Sequence, residues 1–210
     1  MIRILIADDH SIVRRGLKQI LLEGFPDAFF EEVSDAEELI KKVIQNENWD
    51  VIISDLSMPG RSGLEALQHI RQMNVKIPII ILSIHPEDQY AIRVLKAGAS
   101  AYLSKDLAPD ELVNAVNRVL QGKKYITDSI AEKLANVLDQ AGNKQPHELL
   151  SDREFAVLKL LAAGKSVSEI AESMFLSVTT VSTYRARIMA KMNMKTNANL
   201  TLYAIEHNLL

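Results

Sequence analysis

The sequence predicts an α/β doubly wound domain with a five-stranded parallel sheet, followed by a small all-α domain. Three observations lead to this prediction. Short, β-branched apolar runs alternate five times with helical patterns over residues 1–121, as in parallel sheets with right-handed crossover helices. Residues 147–210 carry only helix signals. Residues 122–146 include a polar stretch with glycine and proline, which is typical of a linker.

Five apolar runs are the predicted strands. Each is short and rich in isoleucine, valine or leucine, which favours a buried strand over a helix. The second run is the weakest, because acidic residues interrupt it. The runs are Ile2–Ala7, Ala28–Val33, Val51–Ile53, Ile79–Ser83 and Ala101–Lys105.

A helix signal follows each predicted strand. Ser11 is the expected cap of the first helix, and Ser34 with Asp35 starts the second. A proline in the first turn of a helix, where it is favoured, marks the fifth. The helices are predicted over Ile12–Leu22, from Asp35, from Gly63, over Asp88–Lys96, and to Leu120 with Pro109 in the first turn.

Polar side chains follow four of these strands. The first is followed by Asp8 and Asp9, the third by Asp55, and the fourth and fifth end in Ser83 and Lys105. Open α/β sheets bind ligands at the carboxyl edge of their strands. Carboxylates suit Mg²⁺, whereas a hydroxyl and an ammonium suit phosphoryl oxygens. If the strands are neighbours, the sequence predicts a divalent-cation and phosphoryl site at this edge.

The linker contains a predicted helix and a predicted tether. Ser129–Leu138 has apolar residues at helical spacing, and Gln140–Pro146 is polar with a glycine and a proline. Such a composition is typical of a flexible connection. The domain boundary is therefore placed in this segment.

Capping signals divide the C-terminal domain into helices. Ser151 and Ser166 each stand three residues before a glutamate, which is a capping box. Ser177 caps a third helix, Val178–Met192, and a fourth is predicted over Asn197–His207. Capped helices joined by a short turn indicate a helix-turn-helix.

The third of these helices has the composition of a DNA-reading helix. It has no acidic residue, its predicted core face is Val181, Ile188 and Met192, and small or hydroxylic residues lie opposite. Small polar groups can approach base edges and cations can bind phosphates. A basic helix that is merely solvated is the alternative interpretation. The candidate DNA contacts are Thr179, Thr180, Ser182, Thr183, Arg185, Arg187 and Lys191.

Composition narrows the classes of protein that fit. The chain of 210 residues has a net charge of −3, but residues 151–210 hold seven basic against five acidic residues, a weak sign of a nucleic-acid partner. It has no cysteine, hence no disulfide framework. The five histidines lack zinc-ligand spacing. No apolar stretch approaches the roughly 20 residues that span a bilayer, so we expect a cytoplasmic protein with no membrane partner.

The quoted motifs resemble a known family. Asp8-Asp9, Asp55-x-x-Met-Pro-Gly-x-x-Gly, Ser83 and Lys105 resemble the receiver domain of two-component response regulators, over residues 1–121. Leu150-Ser-Asp-Arg-Glu154 and the later motifs through Lys191-Met192 resemble the LuxR-type DNA-binding domain. Together they are similar to NarL/FixJ-type regulators, with a flavodoxin-like receiver.

The resemblance agrees with the chemistry of the first site. Asp55 is the expected nucleophile and phosphoacceptor, and Lys105 and Ser83 are expected to bind the phosphoryl group. Asp9, Asp55 and the backbone oxygen of Ser57 are expected Mg²⁺ ligands, and Asp8 is expected to orient a metal-bound water. Tyr102 matches the aromatic residue that changes rotamer on phosphorylation in the family. Without the resemblance, Asp55 and Ser83 could be turn residues, Lys105 a solvated lysine and Tyr102 a half-buried strand residue.

The resemblance also implies partners. They are a sensor histidine kinase, double-stranded DNA and a second copy of the chain, with Asn197–His207 as the dimer surface. Ser182 departs from the lysine that many members carry, so base reading is expected to be weaker or different. The implied protein is a phosphoacceptor that catalyses its own phosphoryl uptake and hydrolysis, and not a turnover enzyme.

Two other functions remain open at the level of sequence. The first is an Mg²⁺-dependent phosphohydrolase with an aspartyl nucleophile. Such enzymes often need an acid two residues after the nucleophile, where this chain has Ser57. The second is a constitutive DNA binder whose receiver only dimerises.

Overall fold

Five parallel strands form one sheet in the N-terminal part of the chain. The computed structural model describes residues 1–46, 48–85, 87–139 and 145–210, and for residues 87–89 and 136–139 only the backbone. The strand order is β2-β1-β3-β4-β5, so the strands that precede Asp8, Asp55, Ser83 and Lys105 are neighbours, as predicted. The strands are β1 (Arg3–Ala7), β2 (Phe29–Val33), β3 (Val51–Asp55), β4 (Ile79–Ser83) and β5 (Ala101–Ser104).

Helices alternate with these strands, which confirms the doubly wound α/β prediction. Side chains alternate across a strand, so Ile4 and Ile6 join the core that α1 and α5 cover, whereas Leu5 faces the other way. Leu39 of α2 and Leu67 of α3 are also buried. The helices are α1 (Ser11–Gly24), α2 (Ala36–Gln45), α3 (Gly63–Gln72), α4 (Glu87–Lys96), α5 (Ala108–Leu120) and α6 (Asp128–Asp139).

The C-terminal part is all-helical, as predicted. A short 3-10 helix, Pro146–Leu149, precedes four α-helices. The expected caps are present, because Ser151, Ser166 and Ser177 each accept a hydrogen bond from the backbone three residues on. The α-helices are α7 (Asp152–Ala162), α8 (Val167–Ser173), α9 (Val178–Met192) and α10 (Asn197–Glu206).

One predicted helix cap is wrong, and one capping box was not predicted. Ser11 is the first residue of α1, and its N-cap, His10, makes no side-chain capping bond. The predicted cap at Ser11 is therefore wrong. The start at Gly63 is right, but sequence reasoning missed that Ser62 and Glu65 form a capping box in front of it, which fixes where α3 begins.

The chain divides into two compact units, residues 1–136 and 137–210. Part of the predicted linker contacts the first unit, since Tyr125 N donates to Ser100 O at 3.0 Å and Ile130 is buried. The tether residues 140–144 lie outside the described residues. The limits 1–121, 122–146 and 147–210 stay predictions. Within the described residues, no helix has the length and apolarity to cross a membrane.

Candidate functional site

The carboxyl edge of the sheet brings Asp8, Asp55 and Lys105 into contact. β1 and β4 both pair with β3, and β5 pairs with β4. Lys105 Nζ lies 2.7 Å from Asp8 Oδ2 and 2.9 Å from Asp55 Oδ2. The three groups that the sequence placed after separate strands thus form one buried ion cluster.

The local sequence explains why Asp55 is held in place. Asp55 continues the alternation of Val51 and Ile53, so its side chain lies on the same face of the sheet. Gly63, the first residue of α3, packs directly against it, because a Cβ at Gly63 would lie 2.0 Å from Asp55 O. Gly63 N also donates to Leu56 O at 2.9 Å. Only glycine permits this close approach.

Burial controls the electrostatics of the cluster. Asp55 is 4% exposed and Asp8 is 0% exposed. Burial raises the pKa of Asp55, and although hydrogen bonding to Lys105 opposes this, the net pKa is above the ordinary value. Burial lowers the pKa of Lys105, but its bonds to Asp8 and Asp55 outweigh that effect and the net pKa is raised. Lys105 therefore keeps its proton.

The acidic cluster is compatible with a divalent cation. Ligand atoms of Asp8, Asp9, His10 and Asp55 lie within 4.8 Å of one another. His10 Nδ1 lies 2.9 Å from Asp9 Oδ1, but the geometry is not that of a hydrogen bond. Asp9 Oδ1 is thus buried without a hydrogen-bond partner among the described residues. An orphaned carboxylate oxygen next to two other carboxylates fits a hard cation.

A chain of hydrogen bonds connects Ser83 with Tyr102 through His85. Ser83 Oγ accepts from His85 N at 3.0 Å, and the Tyr102 hydroxyl donates to His85 O at 2.8 Å. Tyr102 is fully buried. Ser57 N donates to Asp55 Oδ1 at 3.3 Å, and Ser57 Oγ lies 3.3 Å from His85 Nε2. Sequence reasoning missed His85, because no motif distinguishes it.

The predicted core face of α9 is confirmed. Val181, Ile188 and Met192 are buried. The candidate DNA contacts Thr179, Ser182, Thr183 and Arg187 are exposed, whereas Thr180 and Arg185 are half-buried. Thr180 Oγ1 is 2.8 Å from Ser177 Oγ, so that hydroxyl is paired within the capping turn.

Two of the candidate DNA contacts bind other parts of the domain. Arg185 Nε donates to Asn197 Oδ1 at 2.9 Å. Lys191 Nζ lies 2.6 Å from Oε2 of Glu154, which is only 3% exposed. Burial raises the pKa of Glu154, but hydrogen bonds from Lys191 and Ser151 outweigh burial and the net pKa lies below 4.5. The sequence identified Glu154 as a capping residue, and its second partner appears only in the fold.

Sequence families match both units. The response regulator receiver domain matches residues 4–117, and the family of bacterial regulatory proteins called luxR matches residues 148–204. The chain belongs to the response regulators. Its C-terminal domain is of the LuxR type. Response regulator UvrY of Escherichia coli K12 is 37% identical over 210 residues, which cover 100% of this chain and 96% of UvrY.

Other relatives and solved structures agree with this response regulator assignment. The oxygen regulatory protein NreC of Staphylococcus carnosus is 38% identical, with 99% of each chain covered. One solved structure is that of RcsB from Salmonella enterica serovar Typhimurium, bound to promoter rprA in the presence of the phosphomimetic BeF3⁻. Its sequence is 27% identical to this chain, and the two structures superpose with a TM-score of 0.64 over 97% of this chain and 98% of the RcsB chain. The response regulator ChrA is 28% identical in sequence, and its structure matches with a TM-score of 0.53 over 100% of this chain and 98% of the ChrA chain.

Proposed function

We propose that this response regulator accepts a phosphoryl group on Asp55 and thereby controls sequence-specific DNA binding. The donor is the phosphohistidine of a sensor histidine kinase or a small phosphodonor. The protein is a phosphoacceptor that catalyses its own phosphoryl uptake and hydrolysis, not a turnover enzyme. Because its partner is DNA, the proposal places it in the cytoplasm.

One observation carries the proposal: the ammonium of Lys105 lies between the carboxylates of Asp8 and Asp55. Asp55 is held against a cation at the ligand-binding edge of the sheet. The same cation can bind a phosphoryl oxygen once Asp55 carries the group. A carboxylate placed only to end a strand would have no need of this partner.

The proposed transfer uses groups that the fold already holds. An Asp55 carboxylate oxygen attacks phosphorus, a P–O bond forms, and the bond from phosphorus to the donor nitrogen breaks and leaves its electrons on the histidine. Lys105 then binds a phosphoryl oxygen. The Ser83 oxygen accepts from His85 N, so its own proton is available to donate to another.

Mg²⁺ is part of the proposal, with Asp9, Asp55 and the Ser57 backbone oxygen as ligands and Asp8 orienting a bound water. Bound there, Mg²⁺ would neutralise negative charge on the phosphoryl oxygens. Asp9 Oδ1 is buried and has no hydrogen-bond partner among the described residues, which supports this assignment. His10 lies within the same cluster, although no sequence motif indicated it.

Mg²⁺ binding is tested by thermal unfolding. Mg²⁺ that binds the folded receiver alone stabilises it by about 1.4 kcal/mol at ten times its dissociation constant. We expect millimolar Mg²⁺ to raise the melting temperature of the wild type by a few degrees, and of Asp9→Asn by less. A melting temperature that is indifferent to Mg²⁺ would contradict this part of the proposal.

A route from the phosphoryl group to the rest of the receiver is available. Ser83 and Tyr102 both bind the backbone of His85, at its N–H and its carbonyl. If Ser83 moves toward the phosphoryl group, the turn at His85 shifts and Tyr102 must find another position. We propose that phosphorylation shifts a population of two receiver conformations through these contacts.

DNA binding is assigned to the helix-turn-helix, with α9 in the major groove. The promoter-bound RcsB structure supports this assignment. Dimerisation is assigned to α10, where Leu202 and Ile205 are 57% and 59% exposed. Exposed leucine and isoleucine on one helix suit an apolar contact with a second copy.

DNA affinity with and without phosphorylation tests the proposed control. We would measure fluorescence anisotropy of a duplex selected from a random library, with wild type and Asp55→Asn, with and without acetyl phosphate and Mg²⁺. The proposal predicts that acetyl phosphate changes the affinity of the wild type alone. A constitutive DNA binder would be favoured by either of two results. The affinity could change equally in both proteins, or it could stay the same in both although the wild type is phosphorylated.

A further inference from the structure

The face of α9 that is turned to solvent consists almost entirely of small side chains with alkyl groups. These residues span nearly four turns, and the long exposed side chains beside them are Arg187 and Lys191. α9 contains no asparagine, glutamine, aspartate or glutamate. The small exposed residues are Val178, Thr179, Ser182, Thr183, Ala186 and Ala190.

The other long cations of α9 are bound elsewhere in the domain. Arg185 donates through Nε to Asn197 Oδ1 at 2.9 Å, and Lys191 binds the buried Glu154 at 2.6 Å. Bidentate reading of guanine uses an arginine or lysine, and bidentate reading of adenine uses an asparagine or glutamine. Apart from Arg187, the exposed residues between Val178 and Ala190 offer neither kind of side chain.

The threonine hydroxyls on this helix are partly used as well. Thr183 Oγ1 donates to Thr179 O at 3.0 Å, a bond that threonine commonly makes within a helix. Its proton is therefore committed, and its γ-methyl and an acceptor lone pair remain for contact. Val178, at the start of α9, is 51% exposed and purely apolar. The N-terminal residues of a recognition helix are the ones that reach base edges.

We propose that α9 reads its DNA site mainly through the C5-methyl groups of thymines in the major groove. This rests on the proposed function, because it requires α9 to be the DNA-reading helix. Apolar contact with threonine or alanine methyl groups is one way in which proteins recognise thymine. The preferred site then contains thymines at the positions that face Val178, Thr183 and Ala186, and Arg187 contributes phosphate binding.

The test removes the methyl group from each partner in turn. The full chain, with acetyl phosphate and Mg²⁺, first selects duplexes from a random library. Each thymine of a selected duplex is then replaced by deoxyuridine, which lacks only the C5-methyl, and affinity is measured by anisotropy at fixed salt. At one or more positions we expect the wild type to bind about fourfold more weakly, the effect of one buried methyl-sized group.

Variants of α9 identify the protein partner of each methyl. Thr183→Ser keeps the hydroxyl and removes the methyl, and Ala186→Gly removes a methyl near the middle of the helix. Each should lose the penalty for deoxyuridine at one thymine position. Ala190→Gly is the matched control, since it has the same cost in helix propensity but lies further from the N-terminus of α9. It should keep the wild-type penalty.

The outcomes separate the inference from the proposed function. If the wild type selects a motif but tolerates deoxyuridine at every thymine, reading through methyl groups is wrong and the DNA-binding function stands. If penalties exist but none is lost in Thr183→Ser or Ala186→Gly, the α9 methyl groups are not the readers and the inference fails. If no duplex is enriched, the proposed function fails and the inference with it.

Discussion

Asp55 shows at the scale of one residue how the receiver holds a buried carboxylate. It is 4% exposed, and water no longer stabilises its charge. Lys105 and the N–H of Ser57 replace part of that solvation. The ionised form of Asp55 therefore has a higher free energy in the folded chain than in water. A bound cation or phosphorylation can lower this free energy.

The pH dependence of stability tests this account of Asp55. Its pKa in the folded receiver is above the ordinary value of 3.8, so stability falls as pH rises from 3.8 toward the folded pKa, and the full loss persists above it. In EDTA, Asp55→Asn should melt at a higher temperature than the wild type at pH 7. The difference should shrink as pH falls to 3.8, and Asp27→Asn, at an exposed site, should show none. A lower melting temperature for Asp55→Asn at pH 7 would contradict the account.

The residues that follow strands could be located from the sequence, whereas contacts between separate segments could not. Asp8, Asp55, Ser83 and Lys105 follow recognisable apolar runs, so their meeting was predictable once the strands were parallel neighbours. His85 and the pairing of Lys191 with Glu154 depend on how separate segments pack. No spacing within the sequence signals either contact.

The start of α3 shows at the scale of an element how a helix positions Asp55, the proposed acceptor. Its N-cap is Ser62, paired with Glu65 in a capping box, and its first residue, Gly63, lies against the backbone of Asp55. The helix can approach the strand this closely because no side chain intervenes. The acceptor and the helix are therefore positioned together.

Gly63→Ala should destabilise the receiver. The added Cβ would lie 2.0 Å from Asp55 O, so backbone must move, which costs about 1–3 kcal/mol. Gly16→Ala is the matched control: Gly16 lies within α1 with nothing within 4 Å of its added Cβ, so alanine should stabilise by about 0.5–1 kcal/mol. Urea unfolding measures both. A Gly63→Ala variant as stable as the wild type would show that the approach is not close.

The cations of α9 are predicted to act in two different ways. Arg187 is exposed, so Arg187→Ala should weaken binding to all DNA sequences and leave the melting temperature unchanged. The slope of log affinity against log salt concentration should fall in magnitude by about one. Lys191→Ala should instead lower the melting temperature, because Glu154 keeps its bonds to Ser151 but loses its only cationic partner among the described residues. The effect is small, because Lys191 is 41% exposed and solvent screens the pair. A salt slope that is the same in wild type and Arg187→Ala would exclude Arg187 from the phosphate contacts.

At the scale of the whole molecule, two compact units carry different sites. The first holds the proposed phosphoryl site and the second the helix-turn-helix. The sequence predicted both architectures because strand and helix periodicities are strong and the capping boxes are local. It placed the linker at residues 122–146, but the hydrogen bond from Tyr125 N to Ser100 O connects part of it to the first unit. Such a contact leaves little trace in composition.

Phosphoryl uptake at Asp55 is the central claim for the molecule, and intact mass measures it directly. Wild type and Asp55→Ala would be incubated with acetyl phosphate and Mg²⁺ and their masses compared. The account predicts a phosphoryl adduct on the wild type and none on Asp55→Ala. An adduct on both proteins would contradict it, because another residue would then be the acceptor.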